Sequence, residues 1–158
     1  MMIYELVSAS GAMVALVVFL GFSLGISMAL YALLVRPASR RSAFQGAVDI
    51  QVPVAALVST VAFGLIFGAL YATTLRGFHR VELLEDQVRL HYLFPARTVT
   101  LSRLELTQAE HIPAHQGRGH LRLRTHGGVT YQSALASERV VLESWEGLTA
   151  YLDGAAEP

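Results

Sequence analysis

Residues 69–83 read ALYATTLRGFHRVEL. A long apolar run ends at Arg76, and past Gly77 a different rhythm begins. Upstream, no charged residue occurs from Leu6 to Val35, and none from Ile50 to Leu75. Downstream lie most of the acids and most of the arginines. The chain-wide figures, 53% hydrophobic and 15% charged, therefore average two materials, one suited to lipid and one to water.

A helix needs about 20 apolar residues at ~1.5 Å each to cross a bilayer, and both uncharged stretches exceed that. Thirteen residues between Val14 and Val35 are Leu, Ile, Val or Phe, and eleven between Val52 and Leu75. At roughly −0.3 to −0.6 kcal/mol each, either set supplies several kcal/mol of insertion free energy. The reading is a transmembrane hairpin over residues 1–76, with spans at about 10–35 and 53–75 and a loop at 36–52. The start, MMIYE, has no basic side chain and the run behind it is long, so it reads as a retained anchor rather than a cleaved signal. Arg36-Pro37 closes the first span, and Pro53 occupies a first-turn position in the second. Tyr31, Arg36, Tyr71 and Arg76 form membrane-interface anchors, an amphipathic ring and a cation at each of two span ends.

Small residues recur every fourth position: Gly21, Gly25 and Ala29 in the first span, and Ala56, Thr60, Gly64, Gly68 and Ala72 in the second. Such ridges allow close helix packing, either of the two spans on each other or of this chain on a foreign helix. With no ionisable side chain inside either span, an ion or proton pathway is not expected. In the connector, Phe44 and Val48 suit either a plain loop or a short amphipathic turn on the membrane surface.

Beyond Gly77 the period is two. Val88, Leu90, Tyr92 and Phe94 alternate with Arg89, His91 and Leu93. Val99, Leu101, Leu104 and Leu106 continue an inward set, as do Leu121 and Leu123, then Val129 and Tyr131. Alternation over short segments marks antiparallel strands wet on one face. Glu85-Asp86-Gln87, Phe94-Pro95-Ala96 and His126-Gly127-Gly128 separate them, the last as a hairpin turn. Residues 111–119 read as a loop. From about 138 to 152 the period becomes helical, with Val141, Trp145, Leu148 and Leu152 on one stripe, Ser137 as the cap and Gly154 after the end. Residues 77–158 thus form a soluble domain of five or six strands with a C-terminal helix.

A membrane hairpin followed by FHRVELLEDQVRLHYLFPARTVTLSRLEL, a strand hairpin and one final helix resembles the bacterial pleckstrin-homology-like (PH-like) membrane proteins, over residues 54–153. The resemblance implies a strongly curved sheet capped by the helix that carries Trp145, and an interaction module rather than an enzyme. On that pattern residues 77–158 fall one strand short of the usual seven. The eukaryotic branch binds phosphoinositides through a basic motif in its first strands; here HRVELLEDQVRLHY holds three acids and no lysine, so that activity is not carried over.

Chemistry is sparse. There is no cysteine, and all twelve basic residues are arginine. Net charge is zero, which gives a nucleic-acid partner no electrostatic footprint. His111 and His115 are four apart, but Pro113 between them breaks the helix that would align them on a metal. No cofactor motif, paired carboxylates, nucleophile elbow or phosphate loop occurs. Arg118, Arg122 and Arg124, with Arg89, Arg97 and Arg103, form a candidate basic sheet face for anionic lipid or a protein partner.

Three arginines follow each span, so the positive-inside count is a tie. The resemblance breaks it toward a cytoplasmic domain at a bacterial inner membrane. The expected function is a non-enzymatic accessory subunit or scaffold on a larger membrane complex, respiratory or photosynthetic complexes being examples. Its partners would be the bilayer and other membrane subunits. The alternative is a membrane-surface sensor that binds anionic lipid through the arginine face.

Overall fold

A computed structural model describes residues 1–41 and 48–154. The chain divides into two compact units: Val14–Ala72, and a second made of Met1–Met13 together with residues 73 onward.

The first unit is a hairpin of two long apolar helices, α1 (Ala9–Arg41) and α2 (Val48–Thr74). Ser8 starts α1 by accepting the Gly11 N–H on its hydroxyl at 3.1 Å and the Ala12 N–H on its carbonyl, as an N-cap does. Two stretches are long and apolar enough to cross a membrane, Ala9–Val35 and Val52–Thr74, about 40 and 35 Å of helix. Only 11% of each apolar window is buried, so neither is the core helix of a globule. The prolines act differently from expectation. Pro37 ends the apolar stretch but not the helix, which runs on to Arg41. Pro53 lies inside α2, in its second turn. A proline removes one ladder bond, and the turns on either side keep their helical backbone. Phe44 lies outside the described residues, as does the side chain of Val48.

The second unit is all β with one helix. Its first strand precedes the hairpin. β1 (Met2–Glu5) pairs antiparallel with β2 (Phe78–Leu83), Tyr4 opposite Val81 and Glu5 opposite Arg80. β3 (Gln87–Leu93) and β4 (Ala96–Ser102) follow, so the first sheet is ordered β1-β2-β3-β4. The second sheet is β5 (Leu106–Pro113), β6 (Arg118–Thr125) and β7 (Thr130–Gln132), with the two-residue β8 (Ala136–Ser137) also on β6. A parallel bridge between Phe78 and Ser133 ties the two sheets together. Gly77 is needed there, because a Cβ at this position would lie 2.0 Å from the Ser133 carbonyl carbon.

Helix α3 (Glu138–Leu152) has the expected bounds. Val141 and Leu148 are fully buried, and Trp145 and Leu152 pack at the margin of the core. Ser144 and Tyr151 are buried with them. Ser137 sits at the N-cap, but its side chain makes no capping bond. The Trp145 indole N–H donates to the Ala109 carbonyl on edge strand β5 at 2.9 Å, which covers part of an otherwise open edge.

Alternation places Val81, Val88, Leu90, Leu121 and Leu123 in one core with no exposure. It fails at two positions. Leu104 falls in a 3-10 turn (Arg103–Glu105) and is 85% exposed. Val129 falls in the β6–β7 turn, where Gly128 takes φ +77°, and it is also exposed. Residues in turns do not share the strand's two-sided geometry. The loop expected at 111–119 is shorter, since strands reach Pro113 and resume at Arg118.

Candidate functional site

In the hairpin, the residues buried between α1 and α2 are mostly small and polar: Ser23, Ser27, Ala55 and Ser59. Ser27 returns its hydroxyl to the Ser23 carbonyl at 2.8 Å. The predicted packing residues lie elsewhere. Gly21, Gly25 and Ala29 are exposed, and so are Ala56, Thr60, Gly64, Gly68 and Ala72. Beyond each glycine's own stretch of helix, no atom of the described residues lies within 4 Å of where a Cβ would stand on any of the four glycines. Of the two uses open to the ridges, packing of one span on the other is therefore not theirs. Serine and glycine are equally small, and spacing alone does not say which set forms the seam.

Beside the seam runs an apolar groove of about 520 Å³, walled by Leu24, Ser27 and Met28 on α1 and by Ala56, Ser59 and Thr60 on α2, among others. Tyr31 lines it too. Tyr71 is half-buried and Arg76 exposed. The side chain of Arg36, the remaining expected anchor, lies outside the described residues.

In the β unit the arginines do not assemble as one face. Arg118, Arg122 and Arg124 share the outer side of β6, alternating with buried Gly119, Leu121 and Leu123. Arg118 and Arg124 are exposed, while Arg122 faces Glu110 at 3.8 Å. Arg89 and Arg97 belong to the other sheet, Arg97 over the Tyr92 ring at 4.5 Å. Arg103 stacks on Tyr151 at 4.9 Å and donates to the Leu152 carbonyl at 3.2 Å. There it meets the negative end of α3. The expected six-arginine face thus reduces to three residues on β6, because Arg89 and Arg97 sit on strands of the first sheet and Arg103 in the 3-10 turn between the sheets.

Sequence reading missed a polar cluster on the outer side of the first sheet. Glu82 is only 8% exposed. It accepts a short hydrogen bond from Arg80 and lies 3.3 Å from His91 Nε2, whose Nδ1 is 3.1 Å from the Thr98 hydroxyl. Glu5 stands across from Arg80. Burial pushes the Glu82 carboxyl up, but His91 and Arg80 outweigh it and hold the pKa below the usual carboxylate value. His79, at a bulge beside this cluster, is pushed down by burial, and its Nδ1 has no partner among the described residues. The signal was faint in sequence: His79, Arg80, Glu82, Arg89 and His91 are the outward set of two paired strands, but only pairing register shows them as neighbours.

This cluster links β1, β2, β3 and β4. Among the described residues no three His, Asp or Glu side chains are placed to hold a metal ion. Set against family models and against curated proteins, the chain matches neither.

Proposed function

We propose that this chain is a two-span membrane protein and a non-catalytic accessory subunit or scaffold. Its hairpin anchors a PH-like β unit at the surface of a bacterial inner membrane, and helices and β unit together engage a larger membrane complex. One observation carries the membrane reading. β1 precedes α1, β2 follows α2, and the two strands are hydrogen-bonded neighbours. Segments paired in one sheet lie on one side of a bilayer, so the chain between them crosses an even number of times. Two exposed apolar helices of 27 and 23 residues support two crossings. A single anchor followed by a soluble helix does not fit.

The PH-like reading is supported by the order of sheet, second sheet and closing helix: residues 77–158 hold seven strands, β2 to β8, rather than the six expected, and β1 adds an eighth at the edge of the first sheet. The accessory role is supported by outward small-residue ridges and by a β unit whose polar cluster is absorbed in joining strands. The lipid-sensor alternative rests on Arg118 and Arg124, exposed on one side of β6, and its strength is reduced by the Glu110 carboxylate beside Arg122. Purification in mild detergent followed by native mass measurement tests the leading reading. Stoichiometric foreign subunits are expected. A chain that leaves the membrane on alkaline extraction would sink the membrane assignment, and a retained chain without foreign subunits would sink the accessory role.

A further inference from the structure

We propose that the β3–β4 turn, Leu93-Phe94-Pro95-Ala96, rests in the headgroup layer of the bilayer, with Arg97 and Arg76 beside it for the phosphates of anionic lipid. The inference rests on the reading that both helices cross that bilayer.

Connectivity fixes which end of the first sheet lies near lipid. β1 runs into α1 through residues 6–8, and α2 runs into β2 through residues 75–77. Each link is three residues, a reach of about 11 Å at most. Both leave from one end of the sheet, because β1 and β2 are antiparallel neighbours with Glu5 opposite Arg80. Register carries that level across to β4: Phe78 is paired with Tyr92, and Tyr92 with Arg97. The β3–β4 turn is therefore at the same end, about 10 Å to the side of the start of β2 at ~4.8 Å per strand.

The second observation is chemical. Turns ordinarily carry polar residues, yet no side chain in this one is polar, and Pro95 and Ala96 are exposed. At the opposite end of the same strands, about 24 Å away along β3, the β2–β3 turn exposes Glu85 and Asp86 instead. The cations follow the same division. Arg97 is exposed beside the apolar turn and lies over the Tyr92 ring at 4.5 Å. Stacking occupies the face of a guanidinium and leaves N–H groups on its edge for phosphate oxygens. Arg76, in the link to β2, is exposed too. Among the described residues neither arginine has a carboxylate at salt-bridge distance. Glu5, the acid at this end of the sheet, stands opposite Arg80 in the register.

An apolar tip with cations at one end and acids at the other matches a surface of anionic lipid, which attracts arginine and repels carboxylates at short range. Lipid is the occupant because the three-residue links hold this end of the sheet at the membrane surface, whatever else the β unit binds. Depth is limited by the backbone. The turn's carbonyl and N–H groups outside the strand ladder need water, so the tip stays among headgroups and does not enter hydrocarbon.

The chain has no cysteine, so one environment-sensitive fluorophore at a time can be placed on the full-length protein. The carriers are vesicles of phosphatidylcholine, with or without phosphatidylglycerol. Three labelled positions are compared: Ala96→Cys at the tip, Asp86→Cys at the far turn and Leu65→Cys on α2. All three are exposed, and unchanged Trp145 emission shows that the β unit stays folded. Lipids with a nitroxide near the headgroup should quench the label at 96 several-fold more than the label at 86, and more than deep nitroxides do. The label at 65 should prefer the deep quencher. Phosphatidylglycerol should increase quenching at 96, and Arg97→Gln should remove that increase. Equal quenching at 96 and 86 would overturn the proposal, as would quenching at 96 that is indifferent to phosphatidylglycerol. Blue-shifted emission at 96 without nitroxide quenching would mark a protein contact in place of lipid and overturn it as well. The label at 65 separates the two failures. If it escapes the deep quencher, the membrane reading falls and this inference with it; if it is quenched while 96 does not exceed 86, only the placement of the turn falls.

Discussion

The two units of this protein are built with opposite polarity. In the hairpin, serine and alanine are buried while leucine, valine and phenylalanine face outward; in the β unit, leucine, valine and phenylalanine are buried and arginine faces outward. Within one chain, the same residue types therefore take opposite positions, and on the proposed two-span reading the variable that changes is the solvent. Where the surroundings are as apolar as leucine, burying leucine gains little, and association is left to close approach and hydrogen bonds. Where the surroundings are water, apolar burial dominates at about 25 cal/mol per Å². On the proposed two-span reading, the Arg76–Gly77 boundary marks the change of solvent on the β2 side, and Leu6 marks it on the β1 side.

The sharpest break of this contrast is truncation of a core side chain in each unit. Phe78 is fully buried, at the bridge between the two sheets. Phe78→Ala should cost about 3–5 kcal/mol, and it should be read from Trp145, the chain's single tryptophan, during denaturant unfolding in micelles. The corresponding change on an outward leucine of the hairpin, Leu65→Ala, should leave that transition in place. If Leu65→Ala shifts it as far as Phe78→Ala does, the two units are not built on different solvents.

A smaller effect tests where the β unit begins. Leu6 lies before α1 in sequence, yet it is 6% exposed in the β-unit core. Its N–H and that of Val7 both bond to the His79 carbonyl. Tyr4 packs so closely on α3 that a Cβ at Gly147 would fall 1.9 Å from its hydroxyl. Leu6→Ala should destabilise the Trp145-reported transition by ~2 kcal/mol, near the lower end for buried leucines, because the site lies at the core's margin. No shift would mean that the N-terminal segment does not belong to this unit. Residues 77–158 alone lack β1, Tyr4 and Leu6, so lipid-binding measurements belong on the whole chain or on β1 rejoined to β2.

How far these features are legible in sequence follows from the range of the signal that encodes each. The helix at 138–152 and the strands at 87–93, 96–102 and 118–125 carry their period within themselves and were readable. β1 was not. MIYE is four residues without a full alternation, and its partner is reached only after both helices. The small-residue ridges were visible as ridges, but the face that packs was decided by Ser23, Ser27 and Ser59, which share the same spacing. The arginine face was over-read because sequence shows outward residues without showing which sheet each strand joins. The Glu82 cluster was missed because a buried carboxylate on an outer face depends on cross-strand partners.

Acid should distinguish the units next, by an amount smaller than a core truncation. His79 has a folded-state pKa below its ordinary value because burial disfavours its charged form. The unfolded chain therefore binds the proton more readily. The linked stability is present above about pH 6.5 and is lost as pH falls from there through the depressed value. Glu82, also depressed, contributes stability above about pH 4.3 that is lost as pH falls through its own lowered value. The β unit should weaken in two steps on acidification. His79→Gln should remove the upper step and keep the lower one, and an unchanged upper step would clear His79 of the effect. Between Glu5 and Arg76 the chain carries no His, Asp, Glu or Lys apart from Asp49, so helix content attributable to the hairpin should stay flat over the same range.

The smallest expected effect is the most pointed, because its sign differs between the units. Ser23 and Ser133 are both almost fully buried. Ser133 Oγ donates to the Ala134 carbonyl and accepts the Leu121 N–H, each within 2.9 Å. Ser23 Oγ has no partner among the described residues. Removing a satisfied hydroxyl leaves the buried Leu121 N–H orphaned, a cost of about 1 kcal/mol at the low end for such groups; removing an unsatisfied one leaves nothing orphaned. Ser133→Ala should therefore lower the Trp145-reported midpoint, whereas Ser23→Ala should leave hairpin helicity in micelles unchanged or slightly raised on heating. A loss at Ser23 as large as that at Ser133 would show that the seam hydroxyl is bonded in the membrane after all. The serine seam would then hold the hairpin by hydrogen bonds rather than by the closeness that its small side chains allow.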